Sequence, residues 1–392
     1  MDTAAPDHGF DHELDRAARR ERARERMTRE GLDALLLTGG PNLAYFANAS
    51  GMLGAESGSR PMCYLLPREG TPTLVVHEFL ASGLETVEDC TVRTYERLSS
   101  LPAAELRAAL ADAGVAEGRI GVEYGPETTL SVPAGEFRAF VDGSDASFVD
   151  AQPLLVDLRS RKSDAEIERV ERACEITAEA YARTFADVST GMTGREAGAT
   201  FRRHLLDLGG DTPWSLVTCG PGEYDRTASG GTDRVIEEGS MVWIDGGCAV
   251  DGYFSDYSRA GVVGGTSERQ REAQRAVHRI TEAAVDAIEP GVPMSRVARD
   301  ADAAVDDLDL PVTAHLSRLA GRVGHSLGLQ VTELPSLNAE SERTFEPGMV
   351  LTVEPAFATE YGTFHVEANV VVTEDGTRTL SASPWELQPI EP

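Results

Sequence analysis

The sequence predicts an α+β protein of two parts, an N-terminal α/β domain followed by a larger α+β domain built from two similar halves. Three observations predict this. The chain has 392 residues, too long for one ordinary domain. Short apolar runs alternate with helical patterns over roughly the first 150 residues. After them, two rounds of long amphipathic helices are each followed by strand-like segments. The boundary falls near VDLRSRKSDAEIERVERACEI, which divides the chain into 1–157 and 158–392. No sequence repeat proves the two halves.

In the first part, residues 16–31 read as a charged helix. GLDALLLTGGPNLAYFAN supplies a strand over Ala34–Leu37, a turn over Thr38–Pro41 and a short amphipathic stretch. MCYLLP and PTLVVHE, separated by REGT, read as a hairpin or as adjacent strands. Leu101–Ala113 is helical, RIGVEYG is a strand and PAGEFRAFVDG is another helix. This part holds no legible cluster of acidic, His or Cys residues.

In the second part, Ser163 with Glu166 forms a capping box. Ile167, Val170, Ala173, Cys174 and Thr177 then mark one face of a long helix. STGMTGREAGATFRRHLLDLGG is a second helix, and Cys219–Thr232 is a Gly-rich stretch. SMVWIDGGCAVDGYFSDYSRAGVVG reads as two or three strands. Ser267 with Gln270 caps the next helix, and SRVARDADAAVDDL is a further one. MVLTVEPAFATEYGTFHVEANVVVTEDGT closes the chain as strand, loop and hairpin.

Composition excludes several classes. The formal net charge is −29, from 65 acidic and 36 basic side chains, so a basic nucleic-acid-binding face is not expected. Of the basic residues only Lys162 is lysine. Such an acidic, lysine-poor surface suits a protein dissolved in concentrated salt, as in the cytoplasm of a halophilic archaeon. No apolar run approaches the ~20 residues of a membrane span, and the N-terminus lacks the apolar core of a secretory signal. Cytoplasmic localisation is the expectation. The five cysteines are widely spaced with no CxxC pair, as in a reducing compartment. Cys219 and Cys248 read as small buried residues.

Five residues carry the chemistry: Asp245, Asp256, His325, Glu354 and Glu367. Asp245 and Asp256 lie across VWIDGGCAVDGYFSDYSR. A hairpin turning near Val250–Gly252 would bring their carboxylates close to opposite one another. Such carboxylates repel unless cations lie between them. Glu354 in VLTVEPAF and Glu367 in FHVEANVVV place charges inside apolar strands, where a charge needs a cation or a hydrogen-bond cage. His325 in GRVGHSLGLQV adds an imidazole. Oxygen-rich ligation with one imidazole suits Mn, Fe or Co, with Zn possible.

These segments resemble the pita-bread metallohydrolases, which include Xaa-Pro dipeptidases, aminopeptidase P, methionine aminopeptidase and creatinase. IDGG…GYFSDYSR is similar to that family's Asp–Asp block and GHSLGLQVTELP to its GHGxGLxxHExP block. EPGMVLTVEPAF and HVEANVVVTEDG are similar to its two glutamate blocks. GLDALLLTGGPNLAYFAN more loosely resembles the creatinase/prolidase N-terminal domain. The resemblance implies two divalent ions. Asp245 chelates one, Asp256 and Glu367 bridge both, and His325 and Glu354 complete the second site. A water acidified there attacks an amide carbonyl while Glu354 shuttles a proton to the leaving nitrogen. It also implies a homodimer.

The sequence departs from the family around this core. Thr332 stands where a second histidine usually follows the ligand one. Ala320 and Gly321 lie where another often precedes it, and CGPGEYDRTASGGTDR has none. His365 occupies the place of an arginine two residues before the last glutamate. His365 and Thr332 are therefore candidate substrate-binding residues, with Tyr224, Asp225 and Arg226 as further possible lining. The expected activity is hydrolysis of short peptides, of Xaa-Pro dipeptidase or aminopeptidase P type. The alternative is an amidohydrolase or lyase acting on a small non-peptide amide such as a compatible solute.

Overall fold

The computed structural model describes residues 12–47, 60–81 and 89–392. Residues 1–11 of the charged lead-in and Asn48 at the end of the amphipathic stretch lie outside them. The chain divides between Arg159 and Ser160 into two compact units.

The first unit runs α1 (His12–Glu30), β1 (Ala34–Leu37), α2 (Gly40–Ala47), β2 (Cys63–Pro67), β3 (Thr73–His77) and α3 (Glu78–Ala81). It continues through β4 (Thr91–Tyr95), α4 (Ala103–Asp112), β5 (Arg119–Val122), α5 (Ala134–Asp142), β6 (Ser147–Asp150) and α6 (Gln152–Ser160). Its six strands order as β4-β3-β2-β1-β5-β6. The hairpin predicted around REGT is present, with Cys63 opposite Val75. Strand β4 had no apolar signal. Four of its five residues escape burial, because it is an edge strand paired only with β3. Edge strand β6 escaped notice for the same reason.

The second unit starts with α7 (Asp164–Asp187) and α8 (Gly194–Asp207), then β7 (Asp211–Cys219), β8 (Met241–Val250), β9 (Tyr253–Phe254) and β10 (Tyr257–Val263). A second round follows: α9 (Glu268–Asp286), α10 (Met294–Asp306), β11 (Val312–His315), α11 (Leu316–Ala320), β12 (His325–Ser326) and β13 (Glu333–Ser336). It ends with β14 (Val350–Val353), β15 (Ala356–Thr359), β16 (Gly362–His365), β17 (Ala368–Thr373), β18 (Gly376–Thr379) and β19 (Gln388–Ile390). Capping boxes start α7 at Ser163–Glu166 and α9 at Ser267–Gln270, as their sequences predict.

The backbone repeats itself in a way the side chains conceal. Gly191 N–H donates to Ile236 O and Gly291 N–H to Phe345 O. Gly194 donates to Arg234 O and Met294 to Arg343 O. Gly239 donates to Val263 O and Gly348 to Val372 O, each at 2.9 Å. The hairpin β8–β9–β10, turning at Asp251–Gly252, has Val250 opposite Tyr253 and Asp245 opposite Ser258. The strands β14–β15–β16–β17, turning at Glu360–Tyr361, have Thr359 opposite Gly362 and Val353 opposite Ala368. The two hairpins share one register, so residues correspond at a constant interval along the chain. Asp245 matches Glu354, Gly247 matches Ala356, Asp256 matches His365, and Ser258 matches Glu367.

Helix α7 braces the first hairpin. Tyr181 Oη donates to the Tyr257 carbonyl at 2.6 Å, Tyr257 Oη donates to the Cys174 carbonyl at 2.9 Å, and Thr177 Oγ1 pairs with Ser255 Oγ at 2.8 Å. The single lysine is buried. Lys162 Nζ donates to Ser326 Oγ at 3.0 Å and lies 3.4 Å from Glu333 Oε2, seating the short strand that carries His325.

Candidate metal centre

All five candidate ligands lie in or beside strands of the second unit and converge on one spot. Asp245 lies within β8, Asp256 just before β10, His325 opens β12, Glu354 follows β14 and Glu367 precedes β17. Asp256 lies close to opposite Asp245, as the sequence suggested, with Ser258 the directly paired residue. Asp256 lies two residues away along the ladder, and the two-residue period of a strand keeps both carboxylates on one face as a diagonal pair.

Two glycines permit the close approach. A Cβ on Gly247 would lie 2.2 Å from the Ser255 carbonyl oxygen, and one on Gly324 would lie 2.2 Å from that of Thr352. Gly324 thereby lets β12 press against β14 and turn the His325 ring inward. His325 N–H donates to Thr352 Oγ1 at 3.0 Å, and that hydroxyl donates to Glu354 Oε1 at 3.3 Å. His325 Nδ1 lies 3.0 Å from the Ser326 carbonyl, which can only accept, so Nδ1 carries the proton. Nε2 is the nitrogen turned toward the carboxylates, 3.3 Å from Asp256 Oδ2 and 3.4 Å from Glu354 Oε1. A proton on Nδ1 gives the tautomer a metal ligand requires. Asn369 holds Asp256 from behind: its side-chain oxygen accepts from Asp256 N–H at 3.0 Å and its amide donates to the Asp256 carbonyl. Arg259 donates to the Glu367 carbonyl at 2.8 Å.

Electrostatics make the cluster unstable as a set of bare anions. Burial, then Asp256 and Glu354 nearby, push the Asp245 carboxyl well above the ordinary range. Burial followed by Asp256, Asp245 and Glu354 does the same to Glu367. Burial raises Asp256 against the pull of His325. Burial also works to raise Glu354, but His365 and His325 beside it outweigh this and hold it at about 2. Among the described residues, Asp245 Oδ1, both Glu367 carboxylate oxygens and His365 Nε2 are buried without a hydrogen-bond partner. Unsatisfied buried acceptors converging on one point are what a cation site offers. Two overlapping donor sets are close enough to hold an ion: Asp256, His325 and Glu367, and Asp245, His365 and Glu367.

Asp245, Asp256, His325 and Glu354 floor a cavity of about 320 Å³ walled by Trp214, Trp243, Arg322, Thr332 and Ala356 among others. Thr332 and His365 both line it. Tyr224 does not: it is buried, and its hydroxyl accepts from Met241 N–H. Asp225 and Arg226 point to solvent, and the next two residues, Thr227 and Ala228, reach the cavity instead. Cys219 and Cys248 are buried, with burial pushing each thiol up to about 11. Sequence reasoning passed over Arg322, whose guanidinium donates to Thr332 Oγ1 at 3.4 Å. Its position three residues before His325 was the available signal. Asn369 and Thr352 were likewise missed, because neither bears a charge.

Comparison with known proteins agrees with this geometry. The model of metallopeptidase family M24 matches residues 168–374, and that of the creatinase/prolidase N-terminal domain matches 19–161. The chain is 26% identical to an Xaa-Pro dipeptidase of Pyrococcus horikoshii over 93% of its length and 96% of that protein. It is 30% identical to the uncharacterized peptidase YqhT of Bacillus subtilis over 62% of its length and 68% of that protein. The structure of dipeptidase PepE from Mycobacterium ulcerans superposes with a TM-score of 0.82 at 25% identity, covering 98% of this chain and 100% of that one.

The Asn369 clamp yields a first prediction. Asn369→Ala leaves the buried N–H and carbonyl of Asp256 unpaired and should destabilise the unit by about 2–4 kcal/mol, read from urea unfolding of the metal-free protein. An unchanged midpoint would contradict the clamp.

Proposed function

The chain belongs to metallopeptidase family M24, and on that premise we propose that it hydrolyses the Xaa-Pro bond of short peptides with two divalent ions at this cluster. The observation that carries the reading is the set of buried, unpartnered carboxylate oxygens of Asp245 and Glu367, of which Asp245 lines the cavity. Asp245, Asp256, His325, Glu354 and Glu367 would hold the ions, as the donor types suit Mn, Fe, Co or Zn. When bound, such ions supply Lewis acidity that acidifies water and polarises an amide carbonyl.

The remaining steps belong to the chain's own residues. Glu354 is more open to the cavity than Asp256 or Glu367: its side chain is 18% exposed, against 5% and 1%. It would carry the proton to the leaving nitrogen. His325 would act beside it as ligand and electrostatic partner. Arg322 supplies the positive charge on the cavity wall, where it would pair with the free carboxylate of a dipeptide while Thr332 steadies it. Trp214 on the cavity wall offers flat apolar surface for a proline ring. A homodimer in the cytoplasm completes the reading, on the family resemblance.

One observation favours the second reading. The positions expected to hold accessory histidines carry Thr332, Ala320 and Gly321, so the usual oxyanion contacts are gone. A small non-peptide amide would then be the substrate.

The deciding assay offers Xaa-Pro dipeptides, longer Xaa-Pro peptides and N-acetylated amino acids to the Mn²⁺-supplemented protein in molar KCl. Xaa-Pro cleavage should appear, disappear with chelator, return with added metal, and fall about 10³-fold or more in Asp256→Ala. Metal binding without Xaa-Pro cleavage would transfer the lead to the small-amide reading. Arg322→Gln should raise KM for free-acid dipeptides about 10-fold and leave C-terminally amidated ones nearly unchanged; equal effects on both would remove Arg322 from carboxylate recognition. The acidic, lysine-poor composition supports function in concentrated salt. The unfolding temperature should therefore climb by several degrees between about 0.1 M and about 2 M KCl as self-repulsion is screened. A flat or falling profile would contradict salt adaptation.

A further inference from the structure

We infer that His365 is a sixth metal ligand, donating Nε2 to the ion held by Asp245 and Glu367, so that each ion has one imidazole. The inference rests on the metallopeptidase reading above and changes the role of His365 from substrate contact to ligand.

Three independent observations carry it. The first is geometry. His365 Nε2 lies 3.8 Å from Glu367 Oε2, and one donor atom each of Asp245, His365 and Glu367 lie within 4.8 Å of one another. The His365–Glu367 separation is too long for a hydrogen bond. Donor atoms bound to one ion at about 2.0–2.2 Å lie about 3–4 Å apart, and the spacing fits that. The His325 Nε2 spacings to Asp256 and Glu354, 3.3 and 3.4 Å, are of the same kind.

The second is the state of the ring. The His365 side chain is 7% exposed and its Nε2 is without a hydrogen-bond partner among the described residues. It is held there from two sides. The imidazole stacks on Trp243 with centroids 5.5 Å apart and planes at 25°, and Ser258 Oγ donates to the His365 carbonyl at 2.9 Å. An imidazole nitrogen that is buried, oriented and unpaired beside carboxylates is prepared for a cation.

The third is the internal duplication. His365 pairs with Ala356 in the second hairpin, the position Asp256 holds against Gly247 in the first. The register that aims Asp256 into the cluster from one half therefore aims His365 into it from the other. A longer arginine at this position could not act as a ligand, because its guanidinium holds its charge. Histidine adds a neutral donor instead, and a softer one than oxygen, which shifts the first site toward Co, Fe or Zn.

The test needs no turnover. The protein is freed of metal, loaded with Co²⁺ and studied by proton NMR for strongly shifted, solvent-exchangeable imidazole N–H signals. A ligand bound through Nε2 keeps its Nδ1 proton close to the ion. Two such signals are expected in the native protein and one in His365→Gln, while His325→Gln should retain the other. Calorimetric titration should show one of two Co²⁺ equivalents weakened at least about 10-fold in His365→Gln. A single shifted signal in the native protein, or unchanged affinity for both equivalents in a folded His365→Gln, would overturn the inference and leave the metallopeptidase reading standing. No Co²⁺ binding by the native protein would overturn both. The native spectrum decides the question even if the variants do not fold.

Discussion

Asp245, Asp256, Glu354 and Glu367 bring four carboxylates into mutual reach where water is nearly excluded. Among the described residues their ion-pair partners are the imidazoles His325 and His365, with no lysine or arginine placed between them. Like charges this close in a low dielectric repel by far more than hydrogen bonds to the backbone can offset. Burial first, and the neighbouring carboxylates with it, push Asp245 and Glu367 upward, so that without a cation the cluster favours taking up protons. A bound cation would displace those protons, so ion binding would be coupled to proton release. The fold tolerates such a site because its braces lie behind it: Asn369 on Asp256, Thr352 on His325 and Glu354, and the Tyr181–Tyr257 pair on the hairpin.

The duplication explains how one compact spot collects ligands from segments far apart in the chain. Each half contributes a hairpin of the same register, and the equivalents Asp245 and Glu354 enter from matching strands. The frame is nearly symmetric, but the donors on it are not. Glu367 corresponds to Ser258, which donates to the backbone carbonyl of His365 instead of facing the cluster with a charge. The asymmetry gives the two sides of the cluster unequal environments: Glu367 is sealed while Glu354 opens to the cavity.

Much of this was legible in the sequence because charge is conspicuous in apolar strands. Glu354 in VLTVEPAF and Glu367 in FHVEANVVV could not be surface residues, and both are buried or nearly so. The capping boxes and the REGT hairpin were equally plain, since each depends on a few local residues. What stayed hidden depends on register and on neutral partners. Asp256 falls diagonal to Asp245 because the turn takes Asp251 and Gly252, a detail that a spacing of eleven residues does not settle. Asn369, Thr352 and Ser258 act through one or two hydrogen bonds each and leave no mark on hydropathy. Lys162 stood out only as the lone lysine. Its burial against Ser326 and Glu333 shows that it survives where a structural cation is needed, not where the surface is charged.

The cavity wall followed different rules from its floor. Floor residues sit on paired strands whose register allows little freedom, so their identity follows from position. Wall residues such as Thr227, Ala228 and Thr332 come from connecting segments, where a shift of one or two residues changes which side chain faces inward. That is why Asp225 and Arg226, polar and adjacent, point to solvent while their neutral neighbours line the pocket. It also means that the proposed metal ligands and the candidate substrate contacts lie on different kinds of segment. The accessory histidines can be absent from the wall without disturbing the carboxylates beneath, because no hydrogen bond of the ligand braces passes through Thr332 or Gly321. A histidine that the wall lacks can be supplied from the floor only where a strand position already points inward, and position 365 is one.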